Sequence, residues 1–548
     1  RFGLDGNSPE IVAGIEQAVK DGMDVLNLSL GEPEIEPSRD IVVQALDHAA
    51  DAGVVPVVAA GNDGATGGSI SSPANAPQAI TVAASTEGDT GPADVIADFS
   101  STGPTPISLE MKPDVTAPGV NIMSSLPGNN WSQHDWSGTS MAAPHVAGGA
   151  ALLRQRHPTW TVAQIKSALM STGDPVHAVG GAEVTTTREG GGRIDLPRAD
   201  NPLIFTDPAG LTFGLVKPAD TATQTLAVTD AGGGPAPWTV TIATQSAPTG
   251  AVLSAPASVV PGTSLPVTLT VAAAAAEGAA TGFVTLSRDT DVRRIPFWFR
   301  VERPQLGREP HTVLKGAGLY HGNTAGKPEL VSTYRYPEAS GAAVIPLDLS
   351  GPEQVFRLVL TKQVANFGAV VVSRASGVRV SPRLVHAGDE NRLVGETGLP
   401  GNLNPYQNFG QATPAVAAIL PLPGAYDLVF DTPSQGKPGR FTFRVWVNDT
   451  TPPSLRLLAS VVRRPQHIRF AATDAGSGID PASIVVKVDG HTRSASYANG
   501  VISVEPDIAP GTHAVFLSVA DYQETKNMED VGPILPNTRV LRTTVTVR

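Results

Sequence analysis

Residues 138–145 read Gly138-Thr139-Ser140-Met141-Ala142-Ala143-Pro144-His145. The glycine and threonine before Ser140 are small, so a peptide backbone can approach the hydroxyl. Val146, Ala147, Ala150, Ala151, Leu152 and Leu153 carry the stretch onward as a helix that must be buried. A serine on the first turn of such a helix sits among free N–H groups and a partial positive charge. That position favours an attacking hydroxyl and the oxyanion its attack creates. A serine there also serves as a plain helix cap, and the octapeptide alone does not separate the two readings.

The residues upstream set the fold class. Ser8 and Pro9 open a helix whose apolar face is Ile11, Val12, Ile15 and Val19, and Gly22 closes it. Val25 to Leu28 is a short apolar strand of the buried parallel type. Ser38 starts a second helix carrying Ile41, Val42, Ala45, Leu46 and Ala49, which stops at Gly53. Val54 to Ala60 is the next strand. Strands alternating with helices predict an α/β domain: a parallel sheet with helices on both faces. Thr161 and Gln164 form a capping box for a last helix ending near Gly173. Asn62 lies just past a strand end, the edge where open α/β sheets bind ligands. Its amide could donate to an oxyanion; within Gly61-Asn62-Asp63-Gly64 the other reading is a turn former.

Residues 138–148, Gly-Thr-Ser-Met-Ala-Ala-Pro-His-Val-Ala-Gly, resemble the nucleophile block of the subtilases, the subtilisin-like serine peptidases. Asp24–Gly31, Val57–Asn62 and Asp114–Gly119 resemble further blocks of that family, in its order. The resemblance covers roughly residues 1–200. It implies a partial subtilisin-like fold and a serine endopeptidase acting through an acyl-enzyme, with a protein or peptide as substrate. It assigns Ser140 as nucleophile and Asn62 as oxyanion donor, with Thr139 as a further donor. Ser29, Leu30 and Gly31 on one side, and Ala59, Ala60 and Gly61 on the other, become the walls that hold an extended substrate. Tight strand packing is the other reading of both walls. Ser71 aligns loosely with the floor of the first specificity pocket. No metal or cofactor is needed for this chemistry.

The sequence departs from the family in one respect. Subtilases carry an Asp-Thr-Gly-like turn and a His-Gly-Thr-His-like helix start upstream of these blocks, and neither precedes Gly22. The expectation is therefore a fragment that lacks the triad aspartate and histidine and is inactive alone. No other histidine substitutes well. His145 reads as structural, and His134 with Asp135 as a polar loop. His321-Gly322-Asn323-Thr324, Asp230-Ala231-Gly232 and Asp474-Ala475-Gly476 read as turns. The rival class is a non-catalytic extracellular binding or adhesion protein with a degenerate peptidase domain. Retention of Ser140 and Asn62 argues against decay.

Composition narrows the remainder. A chain of 548 residues is long enough for several domains. The absence of cysteine removes disulfide and thiolate chemistry. Fifty-one acidic against 39 basic residues, a net charge of −12, argue against nucleic acid as partner. No apolar run is long enough to span a membrane. The resemblance implies secretion. The strip Gly190-Gly191-Gly192 reads as a seam, closing a first domain at residues 1–199. Beyond it, alternation replaces helical periodicity at Leu226 and Val228, at Trp238, Val240 and Ile242, and at Val267, Leu269 and Val271. About three all-β sandwich-type domains follow: a fibronectin III-like one at 200–303, a β-rich one at 304–448, and an immunoglobulin-like one at 449–548. Asp449 to Pro453 reads as a linker, Ala272 to Ala276 as a loop, and Asn402 to Ala415 as a long polar loop. The acidic turn Asp474–Ile479 has the chemistry to take calcium, and ordinary turn chemistry also accounts for it. The β domains are candidates for contact with a cell surface or a polymer.

Overall fold

The computed structural model describes residues 8–32, 34, 37–88, 93–128, 130–132, 136–329, 331, 351–395, 414–505, 507–526 and 537–548. Among them the chain divides into two compact units, one running to Arg303 and one starting at Pro304.

The first unit opens with α1 (Ser8–Lys20), β1 (Val25–Leu28), α2 (Ile41–Asp51) and β2 (Val55–Ala59). The sheet continues with β3 (Ile80–Glu87), β4 (Ala93–Ile96) and β5 (Val115–Pro118). β1, β2, β3 and β5 are mutually parallel. β4 pairs antiparallel to β3, so the sheet is mixed at that edge rather than wholly parallel. Alternation along β2 feeds two cores. Val58 and Ala60 pack with Val42, Val43 and Leu46 of α2. Val55, Val57 and Ala59 pack with Ala142, Val146 and Ala150 of α3 (Thr139–Arg156). Helices therefore cover both faces.

Local chemistry sets the ends of these elements. Gly22 and Gly53 follow α1 and α2 with φ of +70° and +93°, a conformation that favours glycine. The second helix does not start at Ser38. Pro37–Arg39 form a separate 3-10 turn, and Asp40 caps α2 by accepting from Val42 N and Val43 N at 2.8 and 3.2 Å. A carboxylate on two orphan N–H groups is a stronger cap than a distant serine. α4 (Val162–Ser171) has the Thr161–Gln164 capping box in both directions. Two short helices, α5 (Thr186–Glu189) and α6 (Leu196–Asp200), follow.

The strip Gly190-Gly191-Gly192 is a buried clasp rather than a seam. A Cβ on Gly190 would collide with the carbonyl of Asp114, on Gly191 with that of Met170, and on Gly192 with that of Asp174. Three backbone segments meet there too closely for any side chain. The residues beyond it, Leu203–Val301, form a sandwich of a four-stranded and a five-stranded sheet. Phe205, Leu215 and Trp298 of that sandwich belong to the same buried cluster as α3 and α4. Thr206 N donates to Ser167 Oγ at 2.8 Å, Met111 N to Thr212 Oγ1 at 3.0 Å, and Thr186 Oγ1 to the Phe297 carbonyl at 3.1 Å. Ala272–Ala276 is loop.

The second unit holds two more pairs of sheets. Five- and four-stranded sheets enclose a core of Phe356, Phe367, Phe430 and Phe443. Four- and five-stranded sheets enclose Phe470, Ile502 and Leu517. The stretch read as a linker is anchored: Asp449 is buried, its N–H donates to Asn366 Oδ1 at 2.8 Å, and its carboxylate accepts from Ser477 N. Of the stretch Asn402–Ala415, residues 402–413 lie outside the described residues, and Ala415 opens a strand.

Candidate active site

Ser140 stands on the first turn of α3, and the blocks read from sequence converge on it. Gly138 N donates to the Gly119 carbonyl at 2.8 Å, which ties the nucleophile turn to the end of β5. A Cβ on Gly119 would lie 2.7 Å from Ala84 Cβ and 2.8 Å from the Gly138 carbonyl oxygen, so the approach needs glycine. Asn62 arrives from the end of β2. Its Oδ1 accepts from Thr139 N at 2.9 Å and from Thr139 Oγ1 at 3.1 Å. The carbonyl end of the amide is thereby pinned, which leaves the NH₂ end pointing elsewhere. That Nδ2 has no acceptor among the described residues. It lies 3.7 Å from where a Cβ of Gly138 would stand, and Ser140 N lies 3.6 Å from the same point. Asn62 Nδ2 and Ser140 N therefore both lie within 3.7 Å of one point at the start of α3.

Pro144 explains a further contact. It sits inside α3, four residues after Ser140, and has no N–H to give the Ser140 carbonyl. That carbonyl accepts instead from Ser29 Oγ at 2.8 Å. Asn27 Nδ2 reaches Ser29 Oγ at 3.2 Å. The end of β1 is in this way bonded to the nucleophile turn.

The expected walls differ from each other. Ser29, Leu30 and Gly31 are exposed. Ala59 and Ala60 are buried, and Ala60 spends its N–H on Val82 and its carbonyl on Ser71 N. They pack the sheet; only Gly61 of that trio is partly accessible. Ser71 Oγ lies 2.6 Å from a notional Cβ on Gly31 and 3.2 Å from one on Gly61. It stands between the two segments, buried and without a hydrogen-bond partner. Thr139 is fully buried, with its N–H and hydroxyl both engaged by Asn62 and Gly61. It orients the amide instead of facing substrate. Sequence reasoning did not find that clamp or the Ser29 bond. The proline four residues after Ser140 was the visible sign of the latter.

Among the described residues no imidazole is bonded to Ser140. His145 Nδ1 lies 2.9 Å from the Met141 carbonyl of its own helix. His134 and Asp135 lie outside the described residues. Asp474 accepts from Gly476 N and Gly478 N, as turn carboxylates do, but Asp230 and Ala231 end a strand whose following turn donates Gly234 N to Asp230, and His321–Asn323 lie in a strand rather than a turn.

Beneath the site, Asp114 anchors the start of β5. It is buried and accepts from Lys112 Nζ at 2.7 Å and Thr81 N at 2.8 Å, with Lys166 Nζ at 3.0 Å. Burial pushes its carboxyl up, but the two ammonium groups outweigh that and hold it below the usual range. Burial brings Lys112 down to about 8.

Residues 3–195 match the model of the subtilase family. Subtilisin of Bacillus pumilus is 43% identical over 164 residues, which is 30% of this chain and 54% of that protein. Subtilisin Savinase of Lederbergia lenta is 42% identical over 167 residues, 30% of this chain and 55% of that one. Subtilisin E of Bacillus subtilis (strain 168) is 43% identical over 164 residues, 30% and 39% of the two chains. Residues 3–195 are similar to the subtilases along their whole length.

The chain spans 39% to 55% of the length of these relatives. The matched segment holds Ser140, Asn62 and the exposed Ser29–Gly31. In the second unit, the acidic turn at Asp474 meets Asp449 and Asp521, with carboxylate oxygens within 4.8 Å of one another. Asp521 is fully buried, and desolvation raises its carboxyl well above the usual range, with Asp449 adding to the effect. No helix among the described residues is long and apolar enough to cross a membrane.

Proposed function

We propose that this chain is part of a secreted serine endopeptidase that cleaves proteins through an acyl-enzyme on Ser140. The observation that carries the reading is the clamped amide. Thr139 holds Asn62 by its oxygen, and the free Nδ2 lies, like Ser140 N, within 3.7 Å of the Cβ position of Gly138. In this reading Ser140 attacks the scissile carbonyl, and Asn62 Nδ2 and Ser140 N–H receive the oxyanion. The exposed segment Ser29–Gly31 aligns the substrate by strand pairing. Water then releases the acyl group. No metal or cofactor takes part.

A serine hydroxyl needs a base, and the base needs an orienting carboxylate. In this proposal both come from outside these 548 residues, and the chain alone is nearly inactive. Measured on a subtilisin, loss of the catalytic histidine costs roughly 10⁶ in kcat.

The test has two arms. In the whole natural protein, Ser140→Ala should reduce hydrolysis of a chromogenic peptide by about 10⁶. Unchanged hydrolysis would overturn the peptidase reading and leave a binding protein. For the 548 residues alone, turnover within about tenfold of a complete subtilisin would overturn the external base but not the role of Ser140.

A further inference from the structure

The strand Arg440–Val447 in the second unit runs between the strands Gly318–Asn323 and Asn366–Arg374. Register places His321 and Ser373 on either side of Thr442, and Asn323 opposite Arg440. A bulge between Val371 and Ser373 shifts the last residues of the third strand, bringing Arg374 opposite Phe441. The ends of the three strands line a cleft of about 530 Å³.

The chemistry of this cleft is one-sided. Its lining includes two guanidinium groups, of Arg374 and Arg440, and no carboxylate. Neither arginine has an ion pair or a side-chain hydrogen bond among the described residues. Partial burial pulls Arg374 below its usual range, with no carboxylate acting against it. Two neighbouring amides have their oxygens engaged. Asn323 Oδ1 takes the Ala325 N–H at 3.1 Å, and Gln354 Oε1 takes the Asn323 N–H at 2.7 Å. Each amide is left with its NH₂ end to give. His321 Nδ1 is within 3.1 Å of Thr442 Oγ1, which leaves Nε2 for a ligand. In a chain of net charge −12, this is a concentration of unspent donors.

We infer that this cleft binds a uronic acid, a sugar ring bearing a carboxylate. Guanidinium forks match a carboxylate in two-point geometry. The remaining amide, hydroxyl and imidazole groups match ring hydroxyls. The volume falls in the range of small-molecule sites and exceeds what a bare ion needs. Phe441, the one phenyl ring in the lining, is buried. The ligand is a free acidic sugar or one unit of an acidic polysaccharide. The site does not depend on activity at Ser140.

Calorimetric titration of the 548-residue chain tests this with D-galacturonate, its trimer, neutral maltotriose and sulfate. Binding of monomer and trimer alike supports a free sugar as ligand; binding of the trimer only supports a polysaccharide. Arg374→Gln and Arg440→Gln should each weaken that binding about tenfold or more, and added salt should weaken it further. Arg440→Lys, which keeps the charge and loses the fork, should fall between. Unchanged thermal melts establish that each variant is folded, and should a glutamine variant unfold, Arg440→Lys carries the comparison. Absence of uronate binding overturns the inference. So does equal affinity for maltotriose or sulfate, or affinity unmoved by the arginine substitutions.

Discussion

The hydroxyl of Ser29 donates to the carbonyl oxygen of Ser140 at 2.8 Å, across 111 residues of sequence. The bond exists because Pro144 cannot supply the helical N–H that this carbonyl would otherwise accept. It joins the exposed segment that would hold substrate to the residue that would attack it. Ser29→Ala should cost about 1 kcal/mol in stability and lower kcat/KM of the catalytically complete protein by a few-fold. Pro144→Ala offers the carbonyl a donor within the helix, so Ser29→Ala should then matter less. A double-mutant cycle with fully additive effects would show that the two residues do not share this acceptor.

Asn62 should act on rate rather than affinity. Asn62→Leu in the complete protein is expected to lower kcat about 10²–10³-fold with little change in KM, a magnitude measured on the equivalent donor of a subtilisin. Thr139→Val keeps the volume and removes the hydroxyl that steadies the amide. It should give a smaller loss of the same kind. A change confined to KM in either variant would place Asn62 in substrate binding instead.

Asp114 is a stability residue. Asp114→Ala would leave Lys112 buried without its carboxylate and Thr81 N without an acceptor. The expected loss is about 3–5 kcal/mol, read as a shifted urea midpoint. A loss below about 1 kcal/mol would mean that water replaces the carboxylate.

Stability should fall as pH rises above the ordinary carboxylate range. Burial pushes Glu34 up to about 7 and Glu189 up to about 9. Between the unfolded glutamate value and these values the folded state holds more protons than the unfolded one. Stability therefore declines with increasing pH across that window. Lys112 works in the opposite sense above about 8, so the comparison is best made by difference. Glu34→Gln and Glu189→Gln should each flatten the decline, Glu34→Gln up to about 7 and Glu189→Gln up to about 9. Melting curves with the same pH slope in both variants and the parent would refute the assignment.

Met141 follows the nucleophile, with its sulfur 3.5 Å from the Cβ position of Gly138. Oxidation to the sulfoxide places a polar oxygen in that space. Peroxide should therefore lower activity of the complete protein, and Met141→Leu should abolish the sensitivity. Full activity with Met141 oxidised, as read by mass spectrometry, would exclude it.

Local chemistry was legible where it repeats within a few residues. The Thr161–Gln164 box and the glycines after α1 and α2 are of this kind. What escaped depends on distant partners. Thr139 reads as small and open, yet it is buried because Asn62 folds onto it from 77 positions away. Ala59 and Ala60 read as a wall, yet sheet pairing takes their backbone. Gly190–Gly192 reads as a seam because glycine runs mark both loose linkers and the tightest backbone contacts, and composition does not tell them apart.

Phe205, Leu215 and Trp298 reach out of the first β-sandwich into the cluster behind α3 and α4. A protein cut after residue 200 would open a void the size of several aromatic rings and lay apolar surface bare to solvent. The two parts are therefore expected to melt in one calorimetric peak. Evolution could not have passed this sandwich between unrelated hosts as an interchangeable cassette without rebuilding the receiving surface.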